Sequence, residues 1–178
     1  MSLSDEQLMI AVSQGDVEAF EQIVVRYQRL AWRMSYRYIG NYSDAEEIAQ
    51  EVFLRILSSA KSYHPSAKFS TYLYKVTANL CLDHSRKKRP RLIDEFADKA
   101  FTETPDLNLQ IQERNRAIRL AVDSLPARQR LVVILRYYER LSYEQIAAAM
   151  DTSVKATERL LARAREKLES SLTDFFKI

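Results

Sequence analysis

Apolar residues along this chain recur at three- and four-residue intervals. No stretch alternates every two residues between turn signals, so the pattern predicts an all-α fold. A first helix begins near Ser4, with Asp5 and Glu6 in its first turn, and Gly15 closes it. Asp16 caps a long helix from 17 to about 39, which Gly40 ends. Ser43 is the expected cap of a helix over 44–57, with Ile48, Val52, Phe53, Ile56 and Leu57 as its core face. Residues 58–68 read as loop. Ser70 or Thr71 then caps a helix to about 88, buried through Leu73, Val76, Leu80 and His84. Further helices are expected over about 107–124 and 126–139.

The last segment, SYEQIAAAMDTSVKATERLLARAR over 142–165, carries the sharpest local signal. Ser142 and Gln145 have the spacing of a capping box, so a short helix starts at Tyr143. Its apolar face is Ile146, Ala147 and Met150, and Ala147, Ala148 and Ala149 permit a second helix to approach closely. Asp151 stands where such turns commonly place a glycine, because Asp enters the left-handed region more easily than most residues. Ser153 can cap the next helix, whose Val154, Leu161, Ala164, Leu168 and Leu172 form one stripe. Arg159 and Arg163 lie nearly opposite that stripe, flanked by Lys155, Glu166 and Lys167. A buried seam, a cationic outer face and a short helix before a tight turn make the geometry of a major-groove reader. A solvated surface helix would carry the same arginines, so the pair alone leaves both readings open. Arg165 projects near the seam and is expected to form a structural ion pair.

Composition narrows the classes. The chain has 178 residues, 47% apolar and 29% charged, enough for real cores and against wholesale disorder. No run of about 18 apolar residues occurs, so no stable membrane insertion is expected. The N-terminus MSLSDEQLM lacks the basic-then-apolar order of a signal peptide. Cys81 is the single cysteine, which excludes an internal disulfide or a cysteine zinc site, and a reducing cytoplasm fits best. The net charge of +3 is modest, but Arg86, Lys87, Lys88, Arg89 and Arg91 cluster, and an acidic stretch follows from Asp94 to Asp106. With prolines at 90 and 105 and no helical period, 89–106 reads as a flexible linker between helical domains at 1–88 and 107–178.

A second constellation precedes that linker. Thr71, Lys75, Asn79 and Asp83 form an i,i+4 row with Arg86 nearby, and Tyr63, His64, Lys68, Phe69 and Tyr72 lie at or before the helix start. Aromatic faces beside cations and amides are what unpaired bases need: stacking surfaces, phosphate partners and donors for base edges. Core packing would account for Phe69 and Tyr72 equally well. Enzyme chemistry finds little support. The two histidines, His64 and His84, belong to no catalytic motif, and there is no phosphate-cradling glycine loop, HExxH or nucleophile elbow. No cofactor or metal is expected.

Taken together the segments are far more specific. The chain resembles the extracytoplasmic-function sigma factors, the small class of the sigma-70 family that keeps two sigma domains. Four blocks carry the resemblance, in the family's order: AFEQIVVRYQRLAWRMSYRYIGNYSDAEEIAQEVFLRIL, KFSTYLYKVTANLCLDHSRKKR, DSLPARQRLVVILRYYERLSYEQIAAAM and SVKATERLLARAREKL. The resemblance implies that 44–51 belongs to a helix docking on core RNA polymerase, with Glu47, Gln50, Glu51 and Leu54 as its contacts. It implies that His64, Lys68, Phe69, Tyr72, Lys75, Asn79 and Arg86 read and open the −10 promoter element. It implies that Lys155, Glu158, Arg159, Ala162 and Arg163 read the −35 element. Promoter DNA, core polymerase and an anti-sigma factor are the implied partners, and the protein itself catalyses nothing. Two departures stand out. Tyr72 replaces a frequent Trp, and KATER at 155–159 replaces the commoner GTVKS, so base preferences do not carry over. The rivals are a LuxR-like helix–turn–helix regulator that opens no strands, and a helical protein-interaction module.

Overall fold

The computed structural model describes residues 3–65, 67–87 and 108–176, with side chains from 111 to 173 in the last of these. The expected linker at 89–106 lies outside the described residues. All regular structure in the described residues is helical, in two compact units.

The first unit holds α1 (Asp5–Ser13), α2 (Val17–Ile39), α3 (Tyr42–Ser59), a 3₁₀ turn (Ala60–Ser62) and α4 (Phe69–Lys87). Ser4 and Gln7 close a reciprocal capping box on α1. Asp16 accepts from the Ala19 N–H, and Gly40 ends α2 in the left-handed conformation at φ 75°. α2 packs against α1, α3 and α4, and the core gathers Leu8, Met9, Ile23, Met34, Tyr38, Val52, Ile56, Phe69, Leu73 and Cys81.

Several expectations need correction here. Asn41, not Ser43, caps α3, its side chain accepting from the Asp44 N–H at 2.9 Å. Starting the helix at Tyr42 sets that ring against Trp32, 5.3 Å between centroids, a contact a later start would lose. Leu57, expected in the core, is 45% exposed. α4 starts at Phe69 rather than after Ser70 or Thr71. Val76 and His84 are half-buried rather than core, and His84 Nε2 lies 3.5 Å from an oxygen of the buried Asp44, tying α4 to α3.

The second unit holds α5 (Asn108–Asp123), α6 (Ala127–Val133), a π turn (Ile134–Tyr138), α7 (Tyr143–Ala149) and α8 (Val154–Phe176). α8 packs on α5 and α6 around Leu131, Ile134, Leu135, Leu161 and Ala164. The expected helix over 126–139 gives way to π geometry at Ile134, whose carbonyl accepts from Glu139 at 3.1 Å. Arg140 then turns the chain at φ 57° into α7.

Candidate nucleic-acid interface

α7 and α8 form the helix–turn–helix through local chemistry. Ser142 Oγ accepts the Gln145 N–H at 3.2 Å, and Gln145 Oε1 accepts the Ser142 N–H at 2.8 Å. Asp151 adopts φ 51°, the left-handed turn residue expected of it. Ser153 Oγ accepts the Ala156 N–H at 3.1 Å and so caps α8. Leu161 and Ala164 are buried, while Lys155, Glu158, Arg159, Ala162 and Arg163 are all exposed along the opposite face.

The seam itself differs from expectation at its start. Val154, at the first helical position, is 36% exposed, and Thr157 is fully buried in its place. Thr157 tolerates this because its hydroxyl donates to the Ser153 carbonyl at 3.2 Å. Arg165 makes a different contact from the ion pair expected of it: Nε donates to Tyr137 Oη at 2.8 Å, which holds the guanidinium firmly charged. Arg136 donates to the Leu141 carbonyl at 2.8 Å and sits 5.0 Å from the Tyr143 ring centroid, a cation–π contact. The π turn therefore places Tyr137 for α8 and Arg136 for α7. Sequence period alone carries no sign of either contact.

The second constellation surrounds the start of α4. Ser59, Ser62, Tyr63, His64, Ala67 and Tyr72 line a surface cleft of about 310 Å³. Tyr72 is half-buried, with its hydroxyl 2.6 Å from Ser59 Oγ, and its ring lies 5.5 Å from that of Tyr63. The Tyr63 hydroxyl is buried and has no hydrogen-bond partner among the described residues. Burial, then the charges of Glu6 and Asp5, raise its pKa, so the phenol stays neutral. His64 is exposed where it lines the cleft, and Lys68, next in the chain to the lining Ala67, is exposed as well.

Phe69 is a correction. Its ring is fully buried against Tyr27, Tyr63 and Tyr72, so it offers no face to a base and instead backs the cleft wall. Along α4, Lys75 is half-buried, and Asn79 and Arg86 are exposed, so the polar row faces outward as expected. Arg86 lies 3.4 Å from Asp83, an exposed pair of little energetic weight.

On α3, Glu47, Gln50 and Leu54 are exposed and Glu51 is half-buried, bonded to Arg55 at 3.1 Å. Leu54 is 60% exposed, and Leu57, one turn on, extends the same face. Solvation explains exposed carboxylates. It does not explain two exposed leucines side by side on a helix with a complete buried face.

Comparison with known proteins bears on all three surfaces. Residues 23–91 match Sigma-70 region 2, and residues 115–168 match Sigma-70, region 4. The chain is 32% identical to the ECF RNA polymerase sigma factor SigW of Bacillus subtilis, over 92% of this chain and 94% of that one. The chain belongs to the extracytoplasmic-function group of the sigma-70 family. It is 31% identical to the ECF RNA polymerase sigma-E factor of Escherichia coli K12, over 96% of this chain and 95% of that protein. The fold is similar to that of CnrH, solved with the cytosolic domain of CnrY, with TM-score 0.71 at 24% identity over 97% of this chain and 99% of that one. It is also similar to RpoE of Bartonella quintana, solved with the anti-sigma factor NepR, with TM-score 0.66 at 18% identity over 88% and 98%. As a sigma factor, the protein directs core RNA polymerase to promoters. No helix among the described residues is long and apolar enough to cross a membrane.

Proposed function

We propose that domain 1–88 of this sigma factor docks on core polymerase through Glu47, Gln50, Glu51, Leu54 and Leu57 on α3. The same domain captures an unpaired base of the −10 element in the cleft beneath Tyr63 and Tyr72. Domain 107–178 reads the −35 element through Lys155, Glu158, Arg159, Ala162 and Arg163, and a linker over 89–106 joins the two. Catalysis stays with the polymerase.

The cleft carries this reading. An aromatic wall supplies the stacking surface. His64, which lines the cleft, and the exposed Lys68 supply donors for phosphate. Asn79 on the outward row can both donate to and accept from a base edge, whereas Lys75 and Arg86 only donate. A duplex reader has no use for such a cleft. The neighbouring fold solved with the anti-sigma factor NepR supports an inhibitor of the same kind for this chain.

The test is transcription reconstituted with bacterial core polymerase on a library of promoter fragments. Initiation at discrete sites sharing −10 and −35 motifs is expected. Specific duplex binding without initiation would replace this reading with a helix–turn–helix regulator that opens no strands.

A further inference from the structure

We infer that Glu6 is a positioning residue for base capture: from α1 it caps the distant N-terminus of α4 and thereby fixes the cleft wall. This inference rests on the cleft reading above.

The argument starts from what α4 lacks. A helix start leaves its first N–H groups without intrahelical partners. The residue before Phe69 is Lys68, whose side chain has three donors and no acceptor. The Lys68 carbonyl accepts from Thr71 at 2.9 Å, but the Phe69 N–H needs a partner from elsewhere. Glu6 Oε1 provides it, at 3.0 Å across a separation of 63 residues. That bond is the largest influence lowering the carboxyl's pKa, so Glu6 is an anion at the positive end of a helix dipole.

Glu6 is itself held on both sides. The Ser4–Gln7 box fixes the start of α1, and Leu8 and Met9 are fully buried. Asp5 accepts from Arg26 Nη1 at 2.7 Å and from the Tyr27 hydroxyl. Tyr27 in turn meets the Phe69 ring edge-on, with centroids 5.1 Å apart. Asp5 and Glu6 thus fix Phe69 from its side chain and from its backbone. The Phe69 ring then meets both Tyr63 and Tyr72, the two aromatic walls of the cleft. Neither carboxylate lines the cleft, and they reach it through Phe69 and, by their charges, through Tyr63.

The experiment uses holoenzyme assembled from the full chain and core polymerase. Glu6→Ala, Glu6→Gln and Tyr72→Ala are compared at matched promoter occupancy. Readouts are permanganate reactivity of −10 thymines and, on a template already mismatched across −10, discrimination between the preferred base and its alternatives. Losing a helix cap corresponds to about a five-fold change in equilibrium, so Glu6→Ala should narrow base discrimination by about that factor. Glu6→Gln keeps an accepting oxygen and should restore most of it. Polymerase affinity should match wild type for both, a pattern that general destabilisation would not give. If Glu6→Ala cannot be obtained folded, a Glu6→Gln variant with discrimination between wild type and Tyr72→Ala supports the inference. Wild-type discrimination in both Glu6 variants, with a defect in Tyr72→Ala, overturns the inference and leaves the cleft reading standing. Wild-type behaviour in all three overturns both.

Discussion

The helix–turn–helix and the cleft at the start of α4 are built from sequence at very different range. The caps and the turn of the helix–turn–helix act over five residues or fewer, in the Ser142–Gln145 box, the left-handed Asp151, the Ser153 cap and the Thr157 back-bond, while the bond from Arg165 to Tyr137 reaches across 28 residues. The cleft depends instead on Glu6 reaching Phe69, on Tyr27 meeting Phe69 and on Tyr72 bonding Ser59. A local device can be exchanged and leave its neighbours in place. A long-range one transmits any change in α1 or α2 to the cleft wall. One domain is thereby suited to carrying varied reading residues on a fixed frame, the other to a single pocket whose shape the whole unit maintains.

The largest effect that would break this comparison is at Phe69. Truncating a fully buried aromatic costs about 3–5 kcal/mol, so Phe69→Ala should unfold the first unit at markedly lower denaturant. The second unit's transition should stay where it is. Fluorescence of Trp32, in the first unit, and hydrogen exchange in α8 would follow the two separately. A stable Phe69→Ala with a selective DNA defect would return Phe69 to the contact surface.

Smaller effects are expected on the reading face. Arg159→Ala and Arg163→Ala remove exposed side chains, so stability should hold within about 0.5 kcal/mol. Each should weaken −35 binding by about 1–3 kcal/mol if its contact is to a base edge. Polymerase affinity should not change, and equal loss of it in both variants would mean that this face serves the enzyme rather than DNA. Glu158 sharpens the point. It is an exposed carboxylate between Lys155 and Arg159, where phosphate would be repelled unless the carboxylate pairs with an arginine, and a cytosine amino group is a base partner it can accept from. Glu158→Gln should broaden base choice at one position in a selection from random −35 duplexes.

The third effect tests how local the helix–turn–helix is. Ser142→Ala removes one half of a capping box and should cost the second unit about 1 kcal/mol, read as a shift in its denaturation midpoint. The first unit's midpoint should not move.

What could be read from the sequence follows the same divide. Caps at Asp16, Ser142 and Ser153, and the Asp151 turn, were legible because each is a local bargain between one side chain and nearby backbone. Near α3 two residues could have capped, and Asn41 does, with Tyr42 in the first turn set against the distant Trp32. The π turn at 134–138 inserts one residue into the period without any glycine or proline to announce it. Val154 continues the apolar stripe of α8 by spacing, yet it lies beyond the core, and burial falls to Thr157. Phe69 offered aromatic character to either core or base, and sequence spacing does not measure burial. Asp5 and Glu6 looked like ordinary acidic residues of a first helical turn, since their partners lie between 21 and 63 positions away. The cleft therefore had visible members but no visible frame.

The smallest expected effect uses acid to separate the units. Glu6 has a folded-state pKa below its ordinary 4.5, chiefly because it accepts the Phe69 N–H. Its stabilisation of the first unit is therefore present above that ordinary value and is lost as pH falls through the lowered one. Asp123 in the second unit runs the other way. Burial raises its pKa above 3.8 despite the opposing charge of Arg130, 3.9 Å away. Ionised Asp123 therefore costs the second unit stability, and protonation relieves that cost as pH falls through the raised pKa. The comparison is made between each wild-type residue and its amide, because other groups titrate in the same range. The midpoint of wild type should exceed that of Glu6→Gln at pH 7, and the two should converge on acidification below the ordinary carboxyl range. Asp123→Asn should be at its most stabilising, relative to wild type, at pH 7, with the advantage shrinking in acid. Denaturation followed unit by unit between pH 7 and pH 3 checks both signs. A gap between wild type and Glu6→Gln that widens in acid would mean that the carboxylate is not the cap of α4, and the long-range frame of the cleft would need another keystone.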